Sequence, residues 1–171
     1  MLQLRSTPSV LILGAAVLFI GVAISACSSD AGASPDQPIA FSHRLHVENE
    51  IDCSYCHEYY DRYAVAGIPR VSVCVDCHEF MEPVEPNPDL DRIFEFADAG
   101  KEIPWVRLYE LPQYTHFNHK WHIQAEVECQ VCHGDIGISD RATRHMVYKM
   151  DWCLSCHESQ QASVDCVTCH K

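Results

Sequence analysis

The chain has 171 residues, with 24 acidic and 12 basic side chains, and its formal charge is −12. Nine prolines, seven glycines and 47% hydrophobic residues exclude a collagen-like or disordered chain. The acidic surplus excludes a nucleic-acid binder, because phosphate contacts need Lys and Arg.

Arg5 precedes an apolar run from Val10 to Ile24, followed by Ser25-Ala26-Cys27. A short basic region, an apolar stretch and small residues make a secretory signal. A small pair directly before Cys resembles a lipoprotein signal, with residues 1–26 removed and Cys27 acylated. The competing reading is an uncleaved anchor, since Val10–Ala26 is near the lower length limit for a membrane span. Either way the rest of the chain is exported and tethered to a membrane. Residues 27–38 are small, polar and Pro-containing, and read as a flexible tether.

The other ten cysteines fall into five copies of C-x-x-C-H: Cys53/Cys56/His57, Cys74/Cys77/His78, Cys129/Cys132/His133, Cys153/Cys156/His157 and Cys166/Cys169/His170. This is the attachment motif of c-type haem. The thiols form thioethers, and the adjacent His reaches the iron. Structural zinc sites or disulfides use paired cysteines but need no His after every pair. A thioredoxin-like centre uses one such pair. Five covalently bound haems c are therefore expected. After cleavage, 145 residues would serve them, too few to bury five macrocycles in an aliphatic core. The expected fold is mostly irregular, with few short α-helices wrapped around haems that form the core themselves.

Between the second and third motifs, residues 81–116 form a connector. Residues 81–88 are Pro-rich and read as extended. Asp89 is expected to cap a helix from Leu90 to Ala99, with Leu90, Ile93, Phe94 and Ala97 on one face and Gly100 as its stop. Residues 103–112, IPWVRLYELP, read as an extended strand-like linker or a docking segment anchored by Trp and Tyr.

An internal repeat divides the remainder. Residues 41–57 and 117–133 both read F-x-H-x-x-H, six residues, then C-x-x-C-H, without a gap. Residues 39–80 thus form a two-haem module and 117–171 a three-haem module. Six histidines lie outside the motifs: His43, His46, His116, His119, His122 and His145. The module with the extra haem also has the extra His, His145. This predicts bis-His iron throughout, with His43, His46, His119, His122 and His145 as distal ligands. Met146 and Met150 are rivals to His145. His43 and His46 are spaced to share one helical turn and serve two haems. His116 has no counterpart in the first repeat and reads as a residue outside the ligand set.

The pattern F-x-H-x-x-H followed by C-x-x-C-H resembles the class III multihaem cytochromes c, and residues 117–170 resemble their three-haem members. That resemblance implies the pairs His43–His57, His46–His78, His119–His133, His122–His157 and His145–His170. The stretches AGIPRVSVCVDCH, GKEIPWVRLYELP, FNHKWHI and MDWCLSCHE resemble the multihaem cytochrome subunit of alternative complex III. Related cytochromes serve membrane-bound molybdopterin-type oxidoreductases. The resemblance implies a lipid-anchored subunit on the periplasmic face of a membrane. Its partners would be an iron–sulfur/molybdopterin-like subunit and a quinol-oxidising membrane subunit, and its acceptor a soluble cytochrome c or an oxidase. The alternatives are an electron-transfer subunit of another molybdopterin-type enzyme and a multihaem oxyanion reductase. A reductase needs an open iron position, and here all five motifs end in His. No catalytic residues are therefore expected.

Overall fold

The computed structural model describes residues 32, 34–83 and 85–171. The signal region and Cys27 lie outside them. Among the described residues are eight short α-helices, one 3-10 turn and no β-strand. The helices are α1 (His43–Glu48), α2 (Cys53–Cys56), α3 (Val71–His78), α4 (Pro88–Asp98), α5 (His119–Gln124), α6 (Cys129–His133), α7 (Met150–Ser159) and α8 (Cys166–Cys169). Each C-x-x-C-H motif lies on a helix or ends one. A helical turn brings residues three apart onto one side, so both thiols of a pair face the same way.

The repeat in sequence is a repeat in structure. Phe41 stands edge-on to His43 at 4.8 Å and stacks on His46 at 4.3 Å. Phe117 stands edge-on to His119 at 4.8 Å and stacks on His122 at 4.4 Å. Both helices end the same way: Ile51 donates to the His46 carbonyl at 3.1 Å and Val127 to that of His122 at 3.0 Å. Glu50 (φ 61°) and Glu126 (φ 58°) take the left-handed conformation at those two ends.

The apolar core is small. Ile39, Val71, Ile93 and Ile103 are buried, with Leu90, Phe96, Ala97 and Trp105 packed against them. This cluster joins α3 to α4. Helix α4 begins two residues before the expected start, because Asn87 rather than Asp89 caps it. The Asn87 side chain accepts from the Asp89 N–H at 2.9 Å, and Pro88 takes the first turn, where a missing N–H costs nothing. Phe96 joins Leu90, Ile93 and Ala97 in the cluster; Phe94 is not among its members. Gly100 follows the helix with φ 62°.

Residues 103–112 are irregular rather than a strand. Their hydrogen bonding comes partly from the Gln37 side chain, which donates to the Val106 carbonyl at 2.8 Å and accepts from its N–H at 2.9 Å. Residues 34–38, expected to belong to a flexible tether, are thus strapped to the folded chain. Arg141 donates to Ser34, Pro35 and Asp36, and Arg92 to the Pro38 carbonyl at 2.8 Å. The two modules are docked as well. Arg44 of α1 pairs with Asp140 at 2.8 Å, and α1 packs on the 3-10 turn Ile136–Ile138.

Candidate haem-binding sites

The ten described cysteines are free thiols. Among the described residues no three His, Cys, Asp or Glu side chains converge to hold a metal ion.

Three pairs of histidine rings lie about 6 Å apart, with interplanar angles of 69° for His46/His78, 49° for His122/His157 and 9° for His119/His133. Their ring centroids are 6.2, 6.0 and 6.3 Å apart, in that order. Two metal–imidazole bonds of about 2 Å each, plus half a ring on either side, come to about 6 Å. The spacing fits one metal between two imidazoles. In each pair one ring comes from an F-x-H-x-x-H helix and the other from a C-x-x-C-H motif.

A second feature aims these rings. The Nδ1–H groups of His46 and His122 donate to the carbonyls of Ser42 and Asn118, each at 2.8 Å. His57 donates to Gly67 at 2.8 Å, His119 to Ala64 at 2.9 Å, His157 to Ser163 at 2.6 Å and His170 to Tyr114 at 3.1 Å. A carbonyl can only accept, so the proton sits on Nδ1 and Nε2 keeps its lone pair for a metal. Such partners fix a ligand's tautomer and raise its basicity.

Burial keeps several imidazoles neutral, as a ligand must be. It lowers His43 to about 4, with His57 and His46 adding to the effect. Burial likewise lowers His78, with help from His46, and His133, with help from His119, His57 and His145. His119 is lowered by burial against the opposing pull of the Ala64 carbonyl.

The remaining candidates are placed as follows. His43 Nδ1 is buried without a hydrogen-bond partner, and His57 is close enough to add to the lowering of the His43 pKa. His145 receives the Tyr109 hydroxyl on its backbone N–H at 2.8 Å, and its ring packs over Gly134 beside His133. No ring contact joins it to His170 among the described residues. The His116 backbone N–H donates to the Cys169 carbonyl at 2.7 Å, so the segment before the second repeat runs alongside the fifth motif. The His116 side chain is exposed. Met150, the rival ligand, opens α7 and is 59% exposed.

Some site residues carry no signal in sequence. The carbonyls of Gly67, Ala64, Ser163 and Tyr114 are backbone groups that any residue supplies. The Tyr148 hydroxyl, which donates to the Cys132 carbonyl, is likewise unmarked. Gly67 alone has a local reason. It takes φ 86°, and a Cβ there would meet the Tyr59 ring at 2.8 Å.

Thiols of different motifs lie close enough to act on one another. Burial raises Cys74, and Cys56 adds to it. Burial raises Cys129, with Cys53 across the module boundary adding to it. Cys132 is raised by burial and then by Cys156 and Cys153, and Cys153 by burial and then by Cys169. The neighbours run from the second motif through the first, third and fourth to the fifth.

Residues 115–171 match the family described as "Cytochrome c7 and related cytochrome c". The whole chain is similar to the "Menaquinone reductase, multiheme cytochrome c subunit" of Nitratidesulfovibrio vulgaris (strain Hildenborough). The two are 28% identical over an alignment of 191 positions, covering 92% of this chain and 90% of the relative. Residues 115–171 are thus similar to cytochrome c7, and the chain has the irregular, short-helix fold of a multihaem cytochrome c, with covalent haem c as the cofactor class its C-x-x-C-H motifs serve.

Proposed function

We propose that the chain is the electron-relay subunit of a membrane-bound quinone oxidoreductase and carries five covalently attached haems c. Haem iron supplies reversible one-electron chemistry. Cys53/Cys56, Cys74/Cys77, Cys129/Cys132, Cys153/Cys156 and Cys166/Cys169 would form the thioethers. His57, His78, His133, His157 and His170 would be proximal ligands, and His43, His46, His119, His122 and His145 distal ones. The observation that carries the reading is the set of paired His rings about 6 Å apart with Nδ1 committed to carbonyls. The proximity of thiols from different motifs supports haem-to-haem electron transfer along the chain.

The similarity along the whole chain to a menaquinone reductase subunit favours delivery of electrons toward a quinone pool. The resemblance to alternative complex III supports the opposite direction, from quinol to a soluble cytochrome c or an oxidase. The partners are a quinone-reactive membrane subunit and an iron–sulfur/molybdopterin-like subunit, on the periplasmic face.

Two measurements test the reading. Mass spectrometry of the mature protein should show five added haems, and the ferrous protein should bind almost no carbon monoxide because every iron is closed. Fewer haems in fully matured protein, or one haem saturating with carbon monoxide, contradicts it. In membranes the protein should co-purify with a quinone-reactive complex. Adding a menaquinol or a menaquinone should then reduce or oxidise its haems, and the favoured direction separates the two variants.

The anchor gives a further prediction. Cys27 lies outside the described residues, and no helix among the described residues is long and apolar enough to cross a membrane. Cys27→Ser should block lipoprotein processing, or shift the protein from the membrane to the soluble fraction. Unaltered processing and attachment would leave an uncleaved anchor as the tether.

A further inference from the structure

We propose that the indole N–H of Trp105 is a haem-carboxylate donor, holding a propionate of the haem attached at Cys74 and Cys77. The inference rests on the haem reading above. Trp105 Nε1 is buried and has no hydrogen-bond partner. An indole nitrogen is a donor only, so it needs an acceptor. Left unmade, such a bond costs the full desolvation of the donor. The backbone around it is fixed. The Trp105 N–H donates to the Ile103 carbonyl at 2.8 Å, and Val106 is held from both sides by the Gln37 side chain.

Two independent contacts place this donor, and one of them selects the haem. From the attachment side, Trp105 and Cys74 pack on the same apolar cluster of Ile39, Val71, Ile93 and Ile103. From the ligand side, the Trp105 ring stands edge-on to Phe41 at 6.3 Å; Phe41 stacks on His46, which lies 6.2 Å from His78, and also stands edge-on to His43, so it is the shared packing with Cys74 that selects the second motif. Phe41 and the cluster around Trp105 are apolar. A haem brings two carboxylates, which accept and do not donate. The Phe41 arrangement recurs at Phe117, but IPWVRLYELP occurs once in the chain. The effect therefore belongs to one haem of the five.

A hydrogen bond to the propionate draws negative charge away from the iron. Its loss leaves a fuller anion nearby, which favours the ferric state and lowers that haem's midpoint. Trp105→Phe should therefore retain five haems by mass and shift one midpoint downward, leaving the other four in place. The moving component should be the one that His46→Ala removes from the low-spin set. Trp105→His, which loses the same packing but restores an N–H, should recover part of the shift. Five unmoved midpoints in Trp105→Phe, or equal shifts in the Phe and His variants, would overturn the assignment. A lower haem count in the wild-type protein would instead overturn the haem reading itself. If Trp105→Phe does not mature, protein grown with fluorotryptophan keeps the packing and strengthens the donor. The same midpoint should then rise, and no rise overturns the assignment.

Discussion

Made without haem attachment, the chain should fail to fold: its helical circular dichroism should nearly vanish and it should be digested throughout by protease. The same chain matured with haem should resist digestion and unfold cooperatively. The reason lies in how little the polypeptide buries for itself. Among the described residues Ile39, Val71, Ile93 and Ile103 are the buried hydrophobic ones, and none of these described side chains is completely buried. The helices are four to eleven residues long, below the length at which an isolated helix is stable in water. No disulfide joins the described cysteines. Against this stands a backbone ordering cost of about 1–2 kcal/mol per residue. The missing apolar partners are the haems, whose faces would cover exposed residues near the motifs such as Phe80 and Val167, 81% and 74% exposed. Native-like circular dichroism and protease resistance in haem-free protein would show that the polypeptide alone suffices.

The parts of this fold that the sequence disclosed are those in which chemistry forces residue type and spacing together. Thioether attachment needs two thiols and an adjacent imidazole, so all five motifs were legible as written. The gapless repeat made Phe41/His43/His46 equivalent to Phe117/His119/His122, and the two sets have nearly the same ring geometry. Helix α4 was legible in its apolar spacing but not in its start. The Asn87-Pro88 pair competed with Asp89 as a cap, and proline's fitness for the first helical turn decided it. The strap at residues 34–38 was hidden because Ser, Pro, Asp and Gln are equally at home in a free linker. Distant partners distinguish the two: the guanidinium groups of Arg141 and Arg92 and the backbone of Val106, all over fifty residues away in sequence. The carbonyls that orient the His rings were illegible for a simpler reason: every residue has one.

The proposed fifth haem is where sequence and geometry meet least directly, and Gly134 gives a way to probe it. This glycine follows His133 with φ 67° and ψ −169°, a backbone region open almost only to glycine. A Cβ at this position would stand 2.6 Å from His145 Nδ1, closer than any real contact, so the imidazole must move. Gly134→Ala should therefore destabilise the protein by about 1–3 kcal/mol through backbone strain and displace His145 at the same time. If His145 is the distal partner of His170, both Gly134→Ala and His145→Ala should open one iron, turn one haem of five high-spin and let it bind carbon monoxide. His116→Ala should remain closed, because that side chain is exposed although its backbone lies against Cys169. If His145→Ala stays closed, another ligand serves the fifth haem. Carbon monoxide binding in His116→Ala or in Met150→Ala would then identify it. In that case Gly134→Ala should lower the melting temperature without changing the spin state, which separates its strain from its effect on the iron.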